Sequence, residues 1–156
     1  MRKGGRQRMA TLTTDVLVIG AGVSGVPAAI GAARAGARVV LVEEDARPGG
    51  APVDNYITMP CGLPRLGVYR EMLDRLNRDH RLPVEQAGPI PPLWDRWFMP
   101  GSCQVVIETM LKAEPTITLL CRTALHDVIT EKGHGGPRVA GAVVNRPAGQ
   151  QLRVNA

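Results

Sequence analysis

The sequence predicts an α/β fold built on a parallel sheet and followed by a small group of short strands. Two observations lead to this prediction. Continuous apolar runs, which are typical of strands buried on both faces, alternate with helical patterns over the first 120 or so residues. Three short strand candidates, separated by turns rich in glycine and proline, then occupy the end of the chain.

The first apolar run, Val16–Ile19, leads into a glycine-rich turn with the pattern Gly20-x-Gly22-x-x-Gly25. Gly20 allows a tight turn out of the strand. Gly22 lets the backbone approach a pyrophosphate, and Gly25 lets the following helix pack close to the strand. These features favour a dinucleotide site, and we place Val23 and Ser24 in it with the three glycines.

The helix after this turn has a narrow apolar face at helical spacing, formed by Val26, Ala29, Ile30 and Ala33. Pro27 fits the first turn, where a missing N–H does little harm, and Gly36 fits a left-handed residue after the last turn. The N-terminus of this helix is expected to present N–H groups and a partial positive charge to phosphates.

A second buried run, Val39–Val42, ends at Glu43, eighteen positions after Gly25. A glycine-rich turn opening a helix, with an acid at this distance, is the context required for dinucleotide binding. The carboxylate is expected to accept both ribose hydroxyls of an adenosine, and it disfavours a 2′-phosphate and therefore NADP. The alternative is an ordinary turn between a strand and a helix that binds no nucleotide.

Residues 44–50 contain the pattern Arg47-x-Gly49-Gly50. It resembles the RxGG element of FAD-binding proteins of the glutathione-reductase-like superfamily, which NAD-binding domains usually lack. The closest likeness is to the broad group of FAD-dependent oxidoreductases that includes the fumarate reductase and succinate dehydrogenase flavoproteins. The resemblance implies FAD as the cofactor, with Arg47, Gly49 and Gly50 near the pyrophosphate and Glu44 in the same site. The alternative is a surface arginine before a Pro–Gly turn.

The middle of the chain predicts two helices and a strand. Residues 68–80 have apolar side chains on one face and charged side chains elsewhere, which is typical of an amphipathic helix facing a core. Ser102 is expected to cap a second helix that stops before Pro115. The apolar stretch Thr116–Cys121 predicts a third buried strand.

The strand candidates at the end are Leu125–Glu131, Val139–Asn145 and Leu152–Asn155. By the same resemblance they form an antiparallel meander, with the backbone of Leu125 near the adenine. The implied fold is a Rossmann-like, three-layer FAD/NAD(P)-binding domain, incomplete at its C-terminus. An ATG-type motif that closes the FAD site in the family would follow Ala156. We therefore expect the N-terminal part of a larger flavoprotein, or a chain whose site a partner completes.

The composition also predicts a basic, flexible tail at residues 1–13, before an FAD-binding domain at residues 14–156. The tail residues Arg2, Lys3, Arg6 and Arg8 carry four of the five net positive charges, so no basic face for nucleic acid is indicated. No apolar run is long enough to span a bilayer.

The cysteines and histidines give no sign of a metal site. The number of cysteines is odd and no pair has CxxC spacing, so no set of disulfides is indicated. This favours a reducing, cytoplasmic location. The three histidines have no spacing typical of metal ligands. Cys61 is either a thiol near the flavin or an ordinary loop thiol.

The predicted function is that of an FAD-dependent oxidoreductase acting on an unknown substrate, with this chain supplying the ADP side of the FAD site. No catalytic acid or base is indicated by the sequence. One alternative is an NAD-binding Rossmann domain. The other is a non-catalytic fragment that binds nucleotide only with a missing segment or a partner.

Overall fold

The computed structural model describes residues 9–57, 66–79 and 98–156. In chain order the elements are β1 (Ala10–Thr13), β2 (Val16–Ile19), α1 (Gly25–Arg34), β3 (Val39–Val42), α2 (Ala51–Asp54), α3 (Gly67–Asp79), α4 (Pro100–Lys112), β4 (Ile117–Leu120), β5 (Ala124–Gly133), β6 (Gly136–Asn145) and β7 (Gln151–Asn155). A short 3₁₀ turn, Pro147–Gly149, precedes β7.

The parallel sheet has the strand order β2-β3-β4. Val16 pairs with Val39, and Val39 pairs with Ile117, so the three strands start in register. All four residues of the central strand β3 are buried. The three continuous apolar runs therefore predict the positions of the parallel strands, and β3 is covered on both faces as expected. The predicted burial of the third strand is wrong, because β4 lies beside β3 at an edge of the described sheet, with Thr118 exposed and its other residues only partly buried.

Side chains of β3 alternate between the two faces of the parallel sheet. Val39 and Leu41 lie in the apolar core formed with the helices, whereas Val40 and Val42 lie in a second core shared with the other sheet. The parallel sheet is thus the middle of three layers, with helices on one face and the meander on the other. The three-layer fold predicted from the sequence is confirmed.

The second sheet has the order β1-β7-β6-β5, and its last three strands form the predicted antiparallel meander. The prediction of a flexible tail at residues 1–13 is wrong for residues 10–13, which form β1. This strand pairs in parallel with β7, from Ala10 opposite Leu152 to Thr13 opposite Asn155, and Leu12 packs on the second core. The partner strand is about 140 residues away, so no local pattern marks this pairing. Residues 1–8 lie outside the described residues.

The helices follow the apolar patterns of the sequence, with one correction. The buried residues of α1 are those predicted, and Gly36 after it has φ +93°. In α3, Met72, Leu73 and Leu76 are buried. The predicted start of α4 at Ser102 is wrong: the helix begins at Pro100, because proline with its fixed φ suits the first helical position and Met99 before it is extended.

One arginine connects three parts of the helical layer. The Arg34 guanidinium at the end of α1 contacts Glu71 of α3 and Glu114 after α4, each at 2.6 Å. The hydrogen bonds that Arg34 donates to Glu71 and then to Glu114 raise the pKa of Arg34, and the bond that Glu71 accepts from Arg34 lowers the pKa of Glu71. These contacts connect the C-terminal end of α1 to α3 and to the residues that follow α4. In the described part of the chain, no helix is both long and apolar enough to cross a membrane.

Gly141 of β6 is a position where we expect a large loss of stability. Its φ is +147°, and an added Cβ would overlap the carbonyl oxygen of Val154 on β7. The pairing of β5 with β6 is irregular here, between Ile129 and Thr130. Because backbone strain and overlap both oppose a side chain, Gly141→Ala is expected to lower the free energy of unfolding by about 2–4 kcal/mol. Urea denaturation measures this loss.

Gly135→Ala is the matched control for Gly141→Ala. An added Cβ at Gly135, in the turn between β5 and β6, meets no atom within 4 Å. Its effect on the free energy of unfolding is expected to stay within about 0.5 kcal/mol. Equal losses in the two variants would contradict the packing argument for Gly141.

Candidate cofactor-binding site

The turn between β2 and α1 is fixed by two glycines with different roles. Gly20 has φ +94°, a conformation that residues with a side chain rarely adopt, and its N–H donates to the carbonyl of Val42 at 2.7 Å. Gly25 is needed for packing instead, because an added Cβ would overlap the carbonyl oxygen of Gly20. The predicted turn and the close approach of helix and strand are both present.

Gly22 needs to be a glycine neither for a positive φ, as Gly20 does, nor to avoid a clash within the protein, as Gly25 does. Its φ lies outside the left-handed region, and among the described residues an added Cβ would meet only the Cα of Gly50, at an ordinary 3.9 Å. The missing side chain therefore leaves open space at the turn rather than relieving a clash within the protein. Open space beside the start of a helix is what a diphosphate requires.

The N-terminus of α1 presents unpaired backbone donors next to Gly22. The first hydrogen bond along the helix runs from the Val26 N–H to the Gly22 carbonyl at 3.0 Å. The N–H groups of residues 22–25 have no partner among the described residues. Ser24 at the N-cap makes no side-chain capping bond, and the first turn contains no acid. This end of the helix is therefore an uncompensated site for an anion.

Glu43 lies directly after β3 and is buried, with 6% of its surface exposed. Its Oε2 accepts the N–H of Ala21 at 2.6 Å, and its Oε1 accepts the N–H of Asp45 at 3.0 Å. Each oxygen keeps a second lone pair with which it can accept another donor. Glu44, by contrast, is exposed. The bond to Ala21 also ties the carboxylate to the glycine-rich turn, a role that the sequence did not indicate.

Residues 47–54 wrap against the glycine-rich turn. The Gly49 N–H donates to the Ala21 carbonyl at 2.9 Å, and an added Cβ on Gly50 would lie 2.9 Å from the Cα of Gly22. The Arg47 side chain is half exposed, and its Nε lies 3.9 Å from Oδ1 of Asp54 in α2. The structure therefore brings the two glycine motifs together. It also adds Asp54, which the sequence analysis did not select.

The start of the meander lies beside Glu43. The Thr123 N–H donates to the Glu43 carbonyl at 2.8 Å, and the Arg122 N–H donates to the Asp45 carbonyl at 2.8 Å. Leu125 follows in β5 and is 44% exposed. Burial, and then the nearby carboxylates of Glu43 and Glu108, raise the pKa of the Cys121 thiol. This thiol therefore stays protonated at neutral pH and is a poor nucleophile.

A cavity of about 340 Å³ lies between α4, β4 and residues 46–48. Its walls are mostly apolar, and Arg47 borders it. Neither Glu43 nor the glycine-rich turn lines this cavity, although they hold the unpaired donors and the buried carboxylate. The chemistry therefore identifies the turn, and not this cavity, as the candidate site. Cys61 lies outside the described residues.

Comparison with known proteins gives a match over most of the chain. A profile of the family described as FAD dependent oxidoreductase matches residues 15–156. Thiamine thiazole synthase from Aeropyrum pernix is 32% identical over 135 residues, which cover 86% of this chain and 44% of that protein. The chain spans less than half of the length of the curated relatives that it matches.

Solved structures share the fold. THI4 from Thermovibrio ammonificans superposes with a TM-score of 0.67 at 21% identity, covering 92% of this chain and 55% of that one. Sdh1 from Mycobacterium smegmatis superposes with a TM-score of 0.61 at 16% identity, covering 95% of this chain and 34% of that one. At these identities the likeness concerns the fold, including its parallel sheet and meander.

Proposed function

The chain belongs to the FAD-dependent oxidoreductase family, as the resemblance of residues 44–50 predicted, and on this premise we propose that it binds the ADP half of FAD. The observation that carries the proposal is the open space at Gly22, bordered by the unpaired N–H groups of residues 22–25 and connected through Ala21 to the buried Glu43. Unpaired donors suit a diphosphate, and a carboxylate suits ribose hydroxyls, so the residues present fit the cofactor.

Each predicted residue has a role in this proposal. Backbone N–H groups of Gly22, Val23, Ser24 and Gly25 hold the diphosphate, and Gly20 shapes the turn. Glu43 accepts the ribose hydroxyls, with the exposed Glu44 at the rim. Arg47 supplies positive charge near the diphosphate, Gly49 and Gly50 let the chain pass beside it, and the backbone of Leu125 borders the adenine. Bound FAD supplies the hydride or electron transfer, while the protein binds and orients it.

We propose for the whole protein an oxidoreductase activity on a substrate that these residues do not define. The main alternative is an NAD-binding Rossmann domain. The packing of Gly50 on Gly22 favours FAD, because it joins the RxGG-like element to the nucleotide turn and NAD-binding domains usually lack that element. A carboxylate at Glu43 disfavours a 2′-phosphate on the ribose under either interpretation.

Titration of the purified chain with FAD, followed by flavin fluorescence, tests the proposal. We expect saturable binding that ADP reverses and that 2′-phospho-ADP reverses far less, because its additional 2′-phosphate places an anion beside the Glu43 carboxylate. Binding of NAD without binding of FAD would instead support the NAD-binding alternative. If this chain did not bind FAD but a longer form of the protein did, the result would support the alternative in which a further segment is required.

A further inference from the structure

The carboxylate of Asp54 is unusual among the charged groups of the described residues. Its Oδ2 is buried and has no hydrogen-bond partner there, while its Oδ1 lies 3.9 Å from Nε of Arg47. The Asp54 side chain as a whole is 28% exposed. Burial of an unpaired carboxylate oxygen costs free energy, so such an atom requires an explanation. The Arg47 guanidinium, which pairs with the other oxygen of the same carboxylate, is the nearby cation toward which this buried charge can act.

The backbone around Asp54 is fixed to the glycine-rich turn by hydrogen bonds and close packing. The Gly49 N–H bonds to Ala21, the Val53 and Asp54 N–H groups bond to the Gly50 carbonyl, and Gly49 packs so closely on Val53 that no Cβ fits between them. Arg47 is half exposed, and the contact with Asp54 is its one ion pair among the described residues. The backbone of Asp54 thus has a fixed position from which its carboxylate can orient the half-exposed Arg47 guanidinium.

We propose that Asp54 is a positioning residue that holds the Arg47 guanidinium beside the glycine-rich turn for binding a diphosphate. A guanidinium has five N–H donors, so a carboxylate that engages Nε leaves the terminal nitrogens to donate to phosphate oxygens. Positioning lowers the entropy that the long arginine side chain loses when the anion binds. The inference rests on the proposed function, because it requires a diphosphate at this turn.

The sign of the effect separates positioning from plain electrostatics. A carboxylate near a diphosphate repels it, so removing the charge of Asp54 would by itself strengthen binding. Positioning predicts the opposite result for Asp54→Asn, which should weaken ADP binding about three- to ten-fold, in line with the loss of one charge-assisted contact. Adenosine has no phosphate, so its affinity should not change.

The experiment is a double-mutant cycle on ADP and adenosine binding, measured by calorimetry. The variants are Arg47→Gln, Asp54→Asn and the double variant, with Asp54→Glu as the conservative replacement. Arg47→Gln should weaken ADP binding about ten-fold or more, and Asp54→Asn should add nothing in that background. Asp54→Glu should restore part of the ADP affinity. Asp15→Asn is the matched control, because Asp15 also pairs with an arginine, Arg38, but before β2.

Several results would overturn the positioning role. Unchanged or stronger ADP binding in Asp54→Asn would do so. An equal loss of affinity for ADP and adenosine, together with a lower melting temperature, would also do so, because it indicates a structural role alone. A further loss in the Arg47→Gln background would show that Asp54 does not act through Arg47. If the wild-type chain binds neither adenosine nor ADP at any concentration tested, the proposed function itself fails.

Discussion

Gly22→Val is expected to weaken binding of FAD and ADP by at least about 100-fold, which corresponds to about 2.7 kcal/mol, while the fold survives. Among the described residues, the one atom near an added Cβ is the Cα of Gly50 at an ordinary 3.9 Å, so the protein itself has room for a Cβ at this position. A diphosphate does not, because the new methyl groups would occupy the space beside the unpaired N–H groups of α1. Calorimetric titration and urea denaturation of the same variant measure the two effects separately.

Gly25→Ala provides the contrast. Its Cβ would overlap the Gly20 carbonyl oxygen, so α1 must move away from β2. The free energy of unfolding is expected to fall by about 1–3 kcal/mol, as for other overpacked positions. If Gly22→Val destabilised the chain as much as Gly25→Ala, Gly22 would be a packing glycine and the nucleotide argument built on it would fail.

The glycine motif and its surroundings could be predicted from the sequence because their signals are local. Gly20, Gly22 and Gly25 stand between an apolar run and a helical pattern, and Glu43 ends the next apolar run. Each of these signals lies within about thirty residues, the span of one β-α-β unit. The structure places these residues as the pattern predicts, with the turn, the helix N-terminus and Glu43 connected through Ala21.

Features that depend on distant residues could not be predicted in the same way. β1 exists because residues 10–13 pair with β7 at the other end of the chain, and four residues with little apolar content do not indicate a strand by themselves. Gly141 is required because of the carbonyl of Val154 on the neighbouring strand. Asp54 is four residues beyond the RxGG-like element, and its significance depends on the burial of one oxygen atom and on the contact with Arg47.

Glu43→Gln is the second variant with a large expected effect, because the carboxylate accepts two N–H groups of the protein and, in the proposed site, also binds the ribose. The glutamine amide can accept only one of the two N–H groups now held by Oε1 and Oε2, and its NH₂ group would face the other donor. We expect the free energy of unfolding to fall by about 1–3 kcal/mol, the cost of one unsatisfied buried group. The ribose contacts should weaken as well, lowering adenosine affinity by about ten-fold or more.

The nucleoside itself separates these two functions. In the wild-type chain, replacing adenosine by 2′,3′-dideoxyadenosine should cost most of the affinity, since the hydroxyl groups that we propose Glu43 binds are absent. In Glu43→Gln the two nucleosides should bind almost equally, whereas Glu131→Gln, on the β5–β6 hairpin, should preserve the wild-type difference. If Glu43→Gln lowered stability but kept full discrimination between the nucleosides, Glu43 would serve only to anchor Ala21 and Asp45. The ribose would then be bound elsewhere, and the order of the adenosine and diphosphate along the site would have to be revised.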